Sequence, residues 1–136
     1  MTRKLALLAC LTLPLMSAAI GCYRDRERLD VPVLELLPDV DSISPGDTIR
    51  GVIRATDASG LLLVRLLAVY RRDSQTPFVD TARYRYDLAE EKAVELPFAV
   101  PIAAVVPVGS RVALLAAAFD DQDFMVEATD TLWVVP

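Results

Sequence analysis

From residue 31 to the end of the sequence, turn-forming residues interrupt the chain about every 8 to 12 positions, and the runs between them are rich in Val, Ile, Leu and Thr. Such spacing leaves little room for a helix long enough to bury an apolar stripe. It suits short strands joined by tight connections. The breaks carry turn chemistry: Ser44-Pro45-Gly46-Asp47, Asp57-Ala58-Ser59-Gly60, and residues 73–77, 107–110 and 120–123. Between them lie runs at residues 31–37, 48–56, 61–71, 78–87, 93–100, 111–120 and 124–135. They predict an all-β fold, an antiparallel β-sandwich of about seven strands in one domain.

Alternation within the runs assigns faces. In "TIRGVIRATD", Ile49, Gly51, Ile53 and Ala55 share one side while Arg50, Val52, Arg54 and Thr56 share the other, so the arginines point away from the core. In "AVELPFAV", Val94, Leu96, Phe98 and Val100 face inward and Pro97 outward. A proline there marks an edge strand, because it has no N–H to give to a neighbour. "RYRYD" opposes Tyr84 and Tyr86 to Arg83 and Arg85. Two stretches, "LLLVRLLAVYRR" and "VALLAAAF", would be helices by intrinsic propensity alone. Short length, flanking turn residues and the lack of a polar stripe at helical spacing favour strands, and their continuous apolar character suits central strands covered on both faces. Within the first of them, an outward Arg65 puts Leu63, Leu67 and Val69 on the same face. Left uncovered, these form an apolar stripe flanked by Arg65 and Arg71, a candidate interface. The alternative is a strand buried on both sides.

The first 30 residues read differently. Arg3 and Lys4 precede an apolar stretch, residues 5–20, broken only by Thr12, Pro14 and Ser17. That is the n-region and h-region of a helical signal peptide, shorter than the roughly 20 apolar residues of a spanning helix. Ala19-Ile20-Gly21-Cys22 resembles the lipobox of bacterial lipoproteins, and the resemblance implies cleavage before Cys22 and a diacylglyceryl thioether on its sulfur. Leu7-Leu8-Ala9-Cys10 is similar in isolation, but only Leu5 and Ala6 separate it from the cations, so no h-region precedes it. The domains expected are thus a leader at 1–21, a lipidated Cys22 with a charged tether at 22–30, and a β-sandwich at 31–136. The tether, "YRDRERLD" after the cysteine, alternates in sign and is nearly devoid of apolar side chains. The partner implied is a membrane, reached through the N-terminal lipid, and a family rule based on the residue after the cysteine, here Tyr23, favours the outer membrane of a bacterial envelope.

Composition then excludes whole classes of chemistry. With Cys10 lost in the leader and Cys22 acylated, the folded part holds no thiol, disulfide or cysteine metal ligand, and the sequence has no histidine. The five serines outside the leader have no imidazole to activate them, and the glycines are scattered singly rather than gathered into a phosphate-cradling loop. Removal of Arg3 and Lys4 leaves 12 basic residues against 19 acidic ones, a net charge near −7 that disfavours nucleic acid as a partner. The expectation is a non-enzymatic protein without a resident cofactor.

"PGDTIRGVIRATDASGLLLVRL" and "VPVGSRVALLAAAFDDQDFMVEATDTLWVV" resemble the bacterial Ig-like domains of surface and secreted proteins. The resemblance implies an Ig-like sandwich in which the loop after the second strand and the loop before the last strand share one end, next to the tether. Asp57 would then approach Asp120, Asp121 and Asp123. Clustered carboxylates of this kind suit calcium, which takes six to eight oxygen ligands. The competing reading has each aspartate bonded to its own turn backbone, with Arg24, Arg26 and Arg28 offsetting the charge; it is favoured by the irregular spacing and the want of a glutamate placed for bidentate ligation. "DDQD" departs from the usual Asp-x-x-Gly-Asn turn of that family. Function is expected in the class of an envelope-anchored binding or adhesion module for a protein or glycan. A structural accessory subunit of an envelope complex and a small periplasmic inhibitor or chaperone are the alternatives.

Overall fold

The computed structural model describes residues 31–136; the leader, Cys22 and the tether arginines lie outside the described residues. The strands are β1 (Val33–Pro38), β2 (Ser42–Ile43), β3 (Thr48–Arg71), β4 (Val79–Pro101), β5 (Arg111–Asp120) and β6 (Met125–Val134). Among the described residues there is no helix, and the domain is all-β, as the spacing of turn residues predicts.

β3 is the spine. Its first half lies between β1 and the second half of β4, and its second half lies between the first half of β4 and β5. β6 continues the ladder antiparallel to β5, and β2 adds a short parallel pairing at the far end of β6. Hydrogen bonding is therefore continuous through β1-β3-β5-β6-β2, with β4 on the other flank of β3. The sheet curls so that its two halves enclose one core. Ile49 and Ile53 from the first half of β3 meet Val64 and Leu66 from the second, together with Val100, Leu114 and Leu132.

Seven runs become five strands because two expected breaks do not end pairing, and the short β2, outside those runs, makes the sixth. Between Thr56 and Leu61 the chain of β3 advances five residues while its partner goes only from Ala93 to Glu91. The surplus is absorbed as a bulge, which bends a strand without terminating it. β4 bends at the same level, where Glu90 takes a φ of 55°. The runs at 48–56 and 61–71 are thus one strand, as are those at 78–87 and 93–100.

The predicted faces hold in the first half. Ile49, Ile53 and Ala55 are buried, while Arg50, Arg54 and Thr56 are exposed. Gly51 is buried where β1 and Phe98 of β4 crowd its α-carbon. β4 pairs with β3 alone, so it is an edge along its whole length, in keeping with the exposed Pro97. That edge is partly closed from within: the Tyr84 hydroxyl donates to the carbonyl of Ala99 at 2.6 Å, and the Tyr86 hydroxyl to that of Pro97 at 3.4 Å. Satisfying carbonyls on a free edge removes acceptors that another strand would otherwise pair with. Burial, with the neighbouring Tyr84, pushes the Tyr86 phenol above its ordinary pKa, so Tyr86 stays a donor at neutral pH.

The two leucine- and alanine-rich runs are strands, but they are covered on one face rather than two. In β5, Val112, Leu114, Ala116 and Ala118 are buried, whereas Leu115 on the opposite face is exposed and Ala113, Ala117 and Phe119 are half-buried. Nothing among the described residues forms a second layer over that face.

Candidate functional site

Two places gather the side chains singled out in the sequence. The first is the bend of β3. Asp57 accepts hydrogen bonds at Oδ2 from the backbone N–H of Ser59 and of Gly60, both at 2.8 Å, and from the Ser59 hydroxyl. This is the geometry by which Asp rivals regular pairing in turns. Gly60 follows with a φ of +124°, and a Cβ there would stand 2.8 Å from the Glu90 carbonyl oxygen. Burial raises the pKa of Asp57, but the hydrogen bonds from Ser59 and Gly60 outweigh it, and the carboxyl is held below its ordinary value.

The bend sits against the β5–β6 turn because Leu61 pairs with Asp120 across the ladder. There the Asp120 backbone N–H donates to the Phe124 carbonyl at 3.1 Å, and Asp120 Oδ1 accepts from the N–H of Gln122 at 2.9 Å and of Phe124 at 2.8 Å. The Asp121 N–H ties the two segments together through the Gly60 carbonyl at 3.1 Å. As a result Asp57, Asp120 and Asp121 each present a carboxylate oxygen within 4.8 Å of the others. Asp57 and Asp120 are only 5% and 2% exposed.

Asp123 does not join them. It occupies the left-handed region with a φ of 64°, a conformation that Asp adopts more readily than most residues. Its role in "DDQD" is to close the turn. The expectation that Asp57 meets Asp120 and Asp121 agrees with the geometry, although what brings it there is a bulge within a continuous strand and not a loop between two strands.

The second place is the uncovered outer face of β4-β3-β5-β6. Leu63 and Leu67 are half-buried there and Arg65 is exposed, its guanidinium stacked 5.1 Å from the centre of the Phe119 ring. A groove of about 320 Å³ runs between Arg65, Leu67, Arg83, Leu115, Glu127 and Thr129. Val69 is a correction to the expected stripe: at 7% exposure it is out of a partner's reach. Val69 keeps the outer face, since β3 runs in unbroken register with β5 from Leu63 to Arg71, but it lies at the irregularity where β4 carries the extra residue Thr81 opposite Ala68 and Val69. Of the two sequence readings for this strand, the uncovered face is the one found.

Sequence reading missed two stacked pairs at the other end of the sheet. Arg111 lies over Trp133 at 4.4 Å and Arg71 over Phe78 at 4.7 Å, with the indole 47% and the phenyl residue 52% exposed. Alternation alone puts Trp133 on the outer face; only the register, in which Arg111 pairs with Trp133, reveals the stack.

No protein-family model matches the chain, and no curated protein matches it. Among solved structures the fold is similar to that of Spo0M, a sporulation control protein from Bacillus subtilis, with a TM-score of 0.61 and 11% identity over 78% of this chain and 50% of that one. At such identity the likeness is of fold alone, and this chain spans half the length of that neighbour.

Proposed function

We propose that the protein is a lipid-anchored lipoprotein of the bacterial envelope whose β domain is a non-catalytic binding module. The anchor reading is supported by Ala19-Ile20-Gly21-Cys22 behind a charged and then apolar leader. The binding reading is carried by the uncovered face around Leu67, where half-buried leucines are framed by Arg65 and Arg83. Apolar surface rimmed by charge favours a protein partner, since burying it removes leucine from water while the arginines at the rim stay solvated or find acids. Val33 pairs with Thr56 beside the bend, at the opposite end of the sheet from Trp133, Arg111 and Phe78, and a tether preceding Val33 would leave that far end free for a partner.

Both halves of the reading have tests. Cys22→Ser is expected to leave an unprocessed precursor that takes up no labelled palmitate, and continued labelling would exclude the anchor at that residue. Leu67→Asp is expected to abolish crosslinking to the partner recovered with the wild-type, detergent-solubilised lipoprotein. Its thermal midpoint should stay within about 2 °C of wild type, because a half-exposed side chain contributes little to the core. Partner recovery equal to wild type would dismiss this face, and loss of the cooperative melt would mean that Leu67 is core after all.

A further inference from the structure

We propose that Asp57, Asp120 and Asp121 form a calcium site that locks the bend of β3 to the β5–β6 turn. Asp57 Oδ1 and Asp120 Oδ2 are buried and have no hydrogen-bond partner, in side chains more than nine-tenths buried. Each carboxylate is saturated on its other oxygen, by Ser59 and Gly60 in one case and by Gln122 and Phe124 in the other. The N–H donors occupy one oxygen of each carboxylate and leave the other bare. Each bare oxygen has lost its water without gaining a partner, and carboxylates within 4.8 Å of each other and of a third add mutual repulsion.

A cation removes both penalties. Among the described residues no arginine or lysine pairs with any of the three; the ion pairs present are Arg54 with Glu95, Arg83 with Asp80 and Arg85 with Asp87. The ligands are all hard oxygens, which excludes soft metals. Magnesium holds its waters and demands regular octahedral geometry, whereas calcium accepts carboxylates in irregular array and completes its shell with water or carbonyl oxygens. The exposed Asp121 leaves the site open to solvent on one side, and affinity in the range of extracellular modules, roughly 10⁻⁴ to 10⁻³ M, follows from so few protein ligands. The site is independent of the lipid anchor.

The test uses the full-length protein in detergent, titrated with calcium chloride alone and, separately, with magnesium chloride alone, by calorimetry and thermal melting. One calcium is expected to bind per chain, and 10 mM calcium should raise the midpoint by on the order of 10 °C, with magnesium far less effective. Asp121→Ala keeps the backbone bond to Gly60 and removes only an exposed carboxylate. Without calcium it should melt at or slightly above the wild-type midpoint, because one repelling charge is gone, and it should bind the ion about tenfold more weakly. Asp57→Asn, if it folds, should lose the response. Absence of binding heat together with an unmoved midpoint in the wild type would overturn the proposal, as would an Asp121→Ala variant that binds calcium undiminished. So would calcium binding that appears only after Arg24, Arg26 and Arg28 are replaced by alanine, since a tether guanidinium would then be the native counter-ion.

Discussion

Gly51→Val is expected to cost more than 3 kcal/mol and leave the domain largely unfolded in mild denaturant. The position is buried in β3 between two neighbours, opposite Pro38 of β1 on one side and Phe98 of β4 on the other. A Cβ built there would stand 2.4 Å from the Leu37 carbonyl oxygen, 2.7 Å from the α-carbon of Pro38 and 2.6 Å from Cζ of Phe98. The phenyl ring can turn aside, but the two backbone atoms belong to a paired strand and cannot move without breaking the ladder between β1 and β3. With a domain stability in the usual range of about 5 to 15 kcal/mol, a penalty of this size removes a large share of it. A shift in urea midpoint with unchanged slope, measured by circular dichroism, reads the effect. Gly51→Ala should be milder but still clearly destabilising. A valine variant that unfolds at the wild-type urea concentration would show that β1 does not pack against the spine as described.

Gly60→Val is the second large effect, expected at about 3 kcal/mol. Here strain and crowding act together. The φ of +124° is one that side-chain-bearing residues rarely adopt, and the Glu90 carbonyl oxygen at 2.8 Å leaves no space for a Cβ even if the backbone keeps its course. Relief requires β3 to straighten, which would separate the Gly60 carbonyl from the Asp121 N–H and pull Asp57 out of its turn. The variant should therefore lose thermal stability and any calcium response at once. A normal melt would mean that the bend is not held by this glycine, and retention of the calcium response in a destabilised protein would place the ion elsewhere.

Alternation made the inner face of the first half of β3 and the outward arginines legible, because a strand turns successive side chains to opposite sides wherever it lies, and Pro97, with no N–H to give, marked β4 as an edge. The same local rule marked Leu63, Arg65 and Leu67 as one face. Alternation does not report cover: Val69 keeps the outer face in unbroken register with β5, yet it is buried beside the extra residue that β4 carries, and no property of Val69 or its neighbours in sequence announces that. Leucine-rich β3 and alanine-rich β5 looked doubly covered because hydrophobicity reports what a residue tolerates, while the number of layers is decided by what the chain has left to cover it. Turn-forming residues at 57–60 were rightly read as a change of direction, yet whether such residues end a strand or bulge it depends on a partner that keeps pairing past them, and β4 does so.

Among the acidic residues the sequence determined that Asp57, Asp120 and Asp121 belong to turn segments at one end. Tertiary structure decided which of them meet. The pairing of Leu61 with Asp120 sets two turns side by side and buries two carboxylates, while a left-handed backbone turns Asp123 to closing its own loop. Side-chain chemistry is written residue by residue, but distance and burial come from contacts between segments some 60 residues apart, whose register is settled only when the whole sheet closes on its core.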